Sequence, residues 1–383
     1  MDFFVTNTSQ FFSYYPKYEY LDGVLSSTNR KRINLFIDTK SCGQSLFQEW
    51  AIKYILENSK SSPTLDTSLF SSVLEFISFH KQYAKKRQAD IYFYFFMEQG
   101  KSTYHLDLLK TYKSHRGSSD MFGLDLASRE LYFQILDKNY IVLDKVINKL
   151  PRCSFIKLNY LEADYIPYYL MKHVLSREVV DQSANIVYST DKDMLQCLDA
   201  SNIFQFFKHY KSVKMLNYKD IYSHWLKTDL EVNDPALWFP LALSIIGDSG
   251  DEFDGVKGIG PVSLVNNFSY IMSLCNHSMD LVYKNILEKK PIFDINYKPI
   301  NKSMKLVFDS QDIIIRNLKL SSYKLLSDCV NSGFPLYMTD RKKQIIDSVN
   351  SENKCTGAGI LISALNKNGL MGILKESTVG DLF

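Results

Sequence analysis

Four short apolar segments alternate with segments of helical periodicity between residues 33 and 190, and this alternation limits the folds open to the chain. The predicted strands are INLFID (33–38), IYFYFFM (91–97), CSFIKL (153–158) and NIVYST (185–190). Helices are predicted at about 43–58, 68–88, 129–149 and 164–175, with another starting near Asp191. Two further strands are predicted at 203–207 and 213–216. Strands that alternate with helices form parallel sheets, so residues 33–216 are predicted to be a doubly wound, mainly parallel α/β sheet.

The rest of the chain divides around this core. Residues 1–32 are aromatic and polar without a clear period, and we interpret them as an N-terminal extension. Mostly helices are predicted for 217–330, interrupted by the glycine-rich segment GDSGDEFDGVKGIGP (247–261). Residues 331–383 are predicted to be a C-terminal extension and tail.

Composition excludes several classes of protein. The 383 residues are 45% hydrophobic and 23% charged, values typical of globular proteins rather than disordered or fibrous ones. Lys and Arg number 45 and Asp and Glu 42, and this net charge of +3 neither demands nor forbids a nucleic-acid partner. The longest apolar run, 91–97, is too short to span a bilayer. The N-terminus lacks signal-peptide character and the six cysteines form no CxxC, so we expect reduced thiols, no membrane association and a cytoplasmic location.

Carboxylates follow all four predicted strands. The acids at these positions are Asp38, Glu98, Glu162, Asp164, Asp191 and Asp193. The carboxyl ends of parallel strands share one edge of a sheet, so these acids are expected to meet there. Clustered carboxylates repel one another unless protons or cations neutralise them, and oxygen ligands without His favour Mg²⁺ or Mn²⁺ over zinc. The alternative is that each acid is only a helix N-cap or a turn residue.

The glycine-rich segment adds Asp248 and Asp251 and then runs GVKGIGP (255–261). Alternating glycines between two helices allow a tight hairpin whose backbone N–H groups, together with the next helix N-terminus, can hold a phosphate. Pro261 is a suitable first-turn residue for that helix. A simple glycine turn is the alternative.

Residues 101–116 interleave basic and aromatic side chains: Lys101, Tyr104, Lys110, Tyr112, Lys113 and Arg116. This mixture suits a single-stranded nucleic-acid channel, in which cations follow phosphates and aromatic rings stack on bases. The alternative is that these residues simply form a solvent-exposed surface, since the same pattern occurs there.

Together these segments resemble the 5′-nuclease superfamily of flap endonucleases and 5′→3′ exonucleases, and most of all its bacteriophage members, including the phage RNase H type. The resemblance covers roughly residues 33–318. It is carried by IDT (37–39), GKSTYHLDLLKTYKSHRG (100–117), LEAD (161–164), STDKDMLQ (189–196) and GDSGDEFDGVKGIGP (247–261). It implies a PIN-like α/β nuclease core, a helical arch at about 99–150 and a helix–three-turn–helix module at about 247–275.

The resemblance also implies roles for particular residues. Two Mg²⁺ ions, replaceable by Mn²⁺, would be held by Asp38, Glu98, Glu162 and Asp164 at one site and by Asp191, Asp193, Asp248 and Asp251 at the other. Lys113 and Arg116 would act on the scissile phosphate, and Tyr112 would stack on a base. Duplex DNA would contact the hairpin residues Gly255, Val256, Lys257, Gly258, Ile259 and Gly260, where backbone carbonyls could also hold K⁺.

Two positions depart from the family pattern. Glu98 stands where the family has Asp, and Tyr165 replaces the last acid of an EADD sequence. The remaining acids favour an active metal-dependent 5′ nuclease. We expect it to be a monomer that acts on branched or 5′-ended DNA or on RNA–DNA hybrids. Its expected process is DNA replication or repair. A metal-free binder of branched DNA and an RNA-directed PIN-type nuclease are the alternatives.

The chain ends in STVGDLF (377–383), with the apolar pair Leu382-Phe383 after a polar stretch. Such a pair is predicted to have no core to enter. Its spacing from Val379 resembles peptides that replication proteins insert into sliding clamps, so a clamp is a predicted partner. A locally packed end of the chain is the alternative.

Overall fold

The structure is a computed structural model. It describes residues 21–25, 31–40, 55, 67–114, 125–209, 212–228, 230–294, 296, 298–333, 337–350, 363 and 382. The predicted helix at 43–58 lies outside these residues except for Ile55, and so does Arg116.

A six-stranded sheet forms the centre of the fold, in the order β3-β2-β1-β4-β5-β6. Its strands are β1 (Arg32–Asp38), β2 (Asp90–Gln99), β3 (Cys153–Asn159), β4 (Ser183–Tyr188), β5 (Ile203–His209) and β6 (Ser212–Leu216). Strands β1 to β5 are parallel, and β6 pairs antiparallel to β5. The predicted mainly parallel α/β sheet is confirmed. Strands β2 and β3 lie on one side of β1, and strands β4 and β5 lie on the other. In parallel sheets, ligands bind at the carboxyl ends of the strands where the strand order reverses in this way.

Side chains of β1 alternate between two hydrophobic cores, one on each face of the sheet. Ile33, Leu35 and Ile37 pack in the core that also contains Phe70 of α1 (Thr67–Lys86) and Leu143 of α3 (Leu126–Ile147). The opposite face, which carries Phe36, is covered by C-terminal helices. Burial on both faces explains why the strand sequences are continuous apolar runs.

Shorter helices connect the strands. They are α2 (Thr103–Leu108), α4 (Ile166–Tyr169), a π-helix (Leu170–Val174), α5 (Arg177–Asp181) and a 3₁₀-helix (Lys192–Cys197). The helix predicted at 164–175 is therefore a short α-helix continued by the π-helix. The helix predicted near Asp191 is the 3₁₀-helix.

The C-terminal part is helical, as predicted. After a 3₁₀ turn (Tyr218–Asp220) come α6 (Ile221–Leu226), α7 (Pro235–Ile246), α8 (Pro261–Leu274), α9 (Met279–Leu287), α10 (Lys302–Asp309), α11 (Gln311–Ser321), α12 (Tyr323–Ser332) and α13 (Tyr337–Asn350). A small antiparallel pair, β7 (Gly247–Asp248) and β8 (Phe253–Asp254), lies between α7 and α8. Among the described residues, none of the helices has the length and apolar character needed to cross a bilayer.

Both ends of the chain contribute to the core on the α1 face. Leu21 and Val24 are buried there, and Asp22 forms an ion pair with Arg87 at 2.6 Å. Leu382 is also buried in this core, and Lys81 Nζ donates to its carbonyl oxygen at 2.5 Å. The expectation that Leu382 has no core to enter is therefore wrong, because the α1 face accepts it.

Candidate active site

The predicted acids lie at the carboxyl edge of the sheet. Asp38 closes β1, and its Oδ2 accepts a hydrogen bond from Ser189 Oγ at 2.9 Å. Glu98 lies inside β2, which runs one residue further than the position where the sequence placed this acid. Glu162 and Asp164 occupy the turn between β3 and α4.

The loop after β4 is fixed by hydrogen bonds. Asp191 is the N-cap of the 3₁₀-helix, and its Oδ1 accepts from the Asp193 amide at 2.9 Å. Gln205 Nε2 donates to the carbonyl oxygens of Ser189 and Asp191 at 3.0 and 2.7 Å. The N-cap alternative thus describes Asp191 correctly, yet the same turn also directs Asp193 inward, where it is only 8% exposed.

Three carboxylates form the tightest group at this edge. Asp193, Asp248 and Asp251 each offer an oxygen, and these oxygens lie within 4.8 Å of one another. Asp193 Oδ1 is buried without a hydrogen-bond partner. Burial, together with the charges of Asp191 and Asp251, raises the pKa of Asp193 well above its usual value. The group is therefore unfavourable as anions alone and requires a proton or a cation.

The acids after β3 are destabilised in the same way. Burial and the charge of Glu162 raise the pKa of Asp164 well above its ordinary range. Burial also raises the pKa of Glu162, although the Lys113 ammonium opposes the shift. The two groups of acids interact electrostatically, since Asp191 and Asp193 contribute to the shift at Asp164.

Three lysines neutralise part of this negative charge. Lys40 Nζ lies 2.7 Å from Glu98 Oε1, Lys113 Nζ lies 2.9 Å from Glu162 Oε2, and Lys192 Nζ lies 2.6 Å from Asp248 Oδ2. Burial raises the pKa of Glu98, but Lys40 and Lys113 outweigh it and hold the pKa below its usual value. For Lys192, burial is outweighed by Asp193 and Asp248, so its pKa is raised.

The residues present fit hard divalent cations. Eight predicted carboxylates meet three ammonium groups, which leaves five formal negative charges when all the acids are ionised. Every candidate ligand is a carboxylate oxygen, the donor that Mg²⁺ and Mn²⁺ prefer. The partnerless Asp193 Oδ1 is an acceptor that such a cation would satisfy.

Lys113 reaches this site from the segment after α2. Its backbone is left-handed, with φ of 51°, and its ammonium also lies 3.6 Å from Asp251 Oδ1. Tyr112, predicted to stack on a base, is instead buried, and its hydroxyl donates to Asp251 Oδ2 at 3.0 Å. In this structure its ring is therefore not presented to a nucleic acid.

The hairpin at residues 255–260 connects β8 to α8. Val256 and Ile259 are buried, whereas Lys257 and Gly258 are exposed, and the Val256 amide donates to the Ile245 carbonyl at 2.8 Å. A Cβ on Gly255 would lie 2.2 Å from the Ile246 carbonyl group, so the two chain segments meet too closely for any side chain. The helix–three-turn–helix module itself stays a prediction.

The two departures from the family pattern have structural explanations. Tyr165 is fully buried beside Tyr169, and its hydroxyl interacts electrostatically with Asp164. Glu98 remains near the site and pairs with Lys40. The Asp193, Asp248 and Asp251 group includes neither residue.

Sequence reasoning missed the roles of Lys40, Lys192 and His105. Lys40 follows Asp38 by two residues, and Lys192 stands between two acids in STDKD, so proximity to predicted ligands was the available signal. His105 had no such signal, because its contact with Ser102 is an ordinary helix-start contact and its contact with the Leu320 carbonyl depends on the tertiary fold.

The fold of this chain is similar to that of solved bacteriophage T5 nuclease structures. One such structure is a complex of the bacteriophage T5 flap endonuclease with DNA and metal ions, described as a pseudo-enzyme–product complex. It matches with TM-score 0.53 and 19% sequence identity, and the match covers 83% of this chain and 100% of the T5 chain. The same T5 protein co-crystallised with metal ions gives TM-score 0.54 and 18% identity over 82% of this chain and 99% of that one. T5 5′-exonuclease with bound zinc matches with TM-score 0.51 and 20% sequence identity. The match covers 83% of this chain and 99% of the exonuclease chain.

The chain thus has the PIN-like α/β fold of these T5 nucleases. No protein-family model and no curated protein matches it.

Proposed function

We propose that this protein is a metal-dependent, structure-specific 5′ nuclease that cuts phosphodiesters near a 5′ end or 5′ flap. The observation that carries the proposal is the group formed by Asp193, Asp248 and Asp251, with Lys113 beside it. This group lies on a fold shared with T5 nucleases that were crystallised with DNA and with metal ions.

Two Mg²⁺ ions, or Mn²⁺ in their place, would be held by the eight acids in the two sets that the family resemblance implies. When bound, such ions activate a water molecule and stabilise the leaving oxygen. The carboxylates' part is to hold positive charge at the carboxyl edge of β1 and β4. The hydrogen bonds of Asp38 and Asp191 fix the orientation of these two side chains before substrate arrives.

The Lys113 ammonium lies at the same edge and would stabilise negative charge that develops on the scissile phosphate. The contacts of this ammonium with Glu162 and Asp251 support this role. Arg116 would supply a second cation from the same segment.

The 255–260 hairpin would bind the downstream duplex through its backbone and through the N-terminus of α8, with little sequence preference. K⁺ at the carbonyls near Val256 and Ile259 would strengthen that contact. The Val256 carbonyl already accepts from the Ile259 amide at 3.0 Å, which fixes the turn.

The biological role that follows is removal of 5′ flaps or RNA primers by a cytoplasmic monomer during DNA replication or repair. A sliding clamp stays a predicted partner of the tail. Binding to a clamp would require Leu382 to leave the core on the α1 face.

A 5′-labelled flap substrate tests the proposal. Incubation with Mg²⁺ is expected to release short labelled products that end near the branch, and EDTA is expected to prevent their release. A flap with an RNA 5′ segment and a 5′-recessed duplex, run alongside, separate primer removal and exonuclease action from flap cleavage. Intact DNA in every Mg²⁺ and Mn²⁺ reaction, with normal flap binding, would contradict the proposal and favour the metal-free binder.

A further inference from the structure

Tyr112 connects the segment after α2 to the acidic edge, and its surroundings are those of a buried structural contact. The side chain is 5% exposed, and its ring stacks on His105 with centroids 4.7 Å apart and planes 16° apart. Its hydroxyl donates to Asp251 Oδ2 at 3.0 Å. The ring and the hydroxyl are therefore both engaged within the protein.

His105 gives Tyr112 a fixed surface to stack on. Its Nε2 lies 3.0 Å from the Leu320 carbonyl oxygen, which can only accept, so Nε2 carries the proton. Burial lowers the pKa of His105 to about 3, so the ring is neutral and Nδ1 accepts from Ser102 Oγ at 2.7 Å. Both ring nitrogens are thus bonded, and the ring is held against α11.

Asp251 is held at three points by the adjacent residues Tyr112 and Lys113. One carboxylate oxygen accepts from the Tyr112 hydroxyl, and the other lies 3.6 Å from the Lys113 ammonium. The Asp251 carbonyl oxygen accepts from the Lys113 amide at 3.4 Å. These contacts orient the Asp251 carboxylate within the group that also contains Asp193 and Asp248.

We propose that Tyr112 is a positioning residue, whose hydroxyl orients Asp251 for cation binding and whose stacked ring keeps Lys113 at the acidic edge. This inference rests on the proposed function for its catalytic consequence, but its effect on cation binding can be measured separately. Hydrogen bonds to metal ligands of this kind generally affect metal affinity or activity by about 10–100-fold.

Tyr112→Phe separates this role from base stacking, because phenylalanine keeps the ring and removes only the hydroxyl. Mn²⁺ binding to the full chain without DNA, followed by electron paramagnetic resonance, is expected to weaken about tenfold. Cleavage at saturating flap substrate is expected to fall about tenfold, whereas flap affinity in Ca²⁺ stays within about twofold of wild type because the DNA-binding surfaces are unchanged. Thermal unfolding of the variant verifies that it is folded.

Tyr104→Phe is the matched control. This buried tyrosine of α2 contacts the same His105 ring edge-on, with centroids 5.2 Å apart, but its hydroxyl faces the Cys329 thiol rather than a carboxylate. Its Mn²⁺ affinity is expected to match wild type.

If Tyr112→Phe binds Mn²⁺ as tightly as wild type, the positioning role is overturned. In that case, flap binding that weakens in Tyr112→Leu but not in Tyr112→Phe would support base stacking. If wild-type protein binds Mn²⁺ but cleaves no substrate, the proposed function fails while the Mn²⁺ comparison still decides the role of Tyr112. Absence of Mn²⁺ binding by wild-type protein would overturn both.

Discussion

At the residue scale, the acidic site is a balance between carboxylates and lysines rather than a set of acids alone. Lys113 contacts Glu162 and Asp251, Lys192 contacts Asp248, and Asp193 keeps a buried oxygen without a hydrogen-bond partner. Acids arranged in this way cannot all be ionised without added positive charge. Protons or bound cations would supply that charge, and the proposed divalent cations are one such source.

Lys113→Ala should reduce turnover by about 10² or more at saturating flap substrate, because a charge positioned for the transition state is removed. Lys110→Ala is the control, since the Lys110 side chain is 83% exposed and pairs only loosely with Asp107 at 3.9 Å. Single-turnover cleavage and flap binding are measured for both variants. A Lys113→Ala defect that disappears at higher DNA concentration would assign Lys113 to steering rather than to chemistry.

Lys192→Met should destabilise the cation-free protein and increase the stabilisation produced by added Mn²⁺. Without the ammonium, buried Asp248 loses its ion-pair partner, and the free energy of unfolding is expected to fall by about 1–2 kcal/mol. This loss is smaller than that for a fully buried ion pair because the Lys192 side chain is 37% exposed. Thermal unfolding with and without Mn²⁺ measures both effects. Lys172→Met, which removes an ion pair with Asp199, is the control and should show no increased response to Mn²⁺.

At the element scale, the hairpin between β8 and α8 joins the acidic edge to an exposed surface. β7 carries Asp248 into the site, while Lys257 and Gly258 face solvent a few residues later. Asn317 of α11 donates to the carbonyl oxygens of Ser244 and Asp254, each at 2.9 Å, and so fixes the base of the hairpin. A duplex held by the hairpin would thus have a defined relation to the acids.

Gly258→Val should weaken binding to a duplex end about tenfold without changing Mn²⁺ affinity. Gly258 has φ of 88°, which valine resists at a cost of about 1–3 kcal/mol, and the added methyl groups would crowd a bound phosphate. Gly333→Val provides the control for backbone strain, since Gly333 has φ of 70° at the end of α12. If both variants lose the same amount of duplex affinity, the hairpin is not a specific DNA contact.

Local pattern was sufficient to predict strands β1 to β4, but it predicted neither β7, which carries Asp248, nor α2. Strands β1 to β4 are continuous apolar runs because both faces of the sheet are buried; Asp38 is the last residue of β1, and Asp191 lies three residues after the end of β4. The interactions of Tyr112 could not be predicted in this way. Its stacking on His105 depends on α11, more than 200 residues away along the chain.

At the scale of the whole molecule, residues from both ends of the chain stabilise one face of the sheet. Leu21 and Leu382 lie in the core that α1 and α3 form with β1 and β2, and Lys81 of α1 holds the Leu382 carbonyl. A locally packed end of the chain was only the alternative interpretation of the sequence, because an apolar pair after polar residues has no period that predicts its burial. The burial is a tertiary contact with distant elements.

Deletion of residues 377–383 should leave cleavage of free oligonucleotides unchanged and lower the free energy of unfolding by about 1.5–3 kcal/mol, the contribution of one fully buried leucine. Denaturant unfolding and flap cleavage of the truncated protein test this directly. Calorimetry with the cognate clamp tests the predicted tether in the same sample. Unchanged stability would contradict the burial of Leu382, and unchanged clamp affinity would exclude the tail as the tether.

In the proposed mechanism, Asp191 and Asp193 hold cations for cleavage and are not needed for DNA affinity. Combined Asp191→Asn and Asp193→Asn substitutions, assayed on a 5′-labelled flap in Mg²⁺, test this role most directly. We predict that cleavage is abolished while flap binding stays within about threefold of wild type, because backbone and basic contacts carry the affinity. Cleavage above about a tenth of the wild-type rate would contradict the claim that these residues are essential metal ligands.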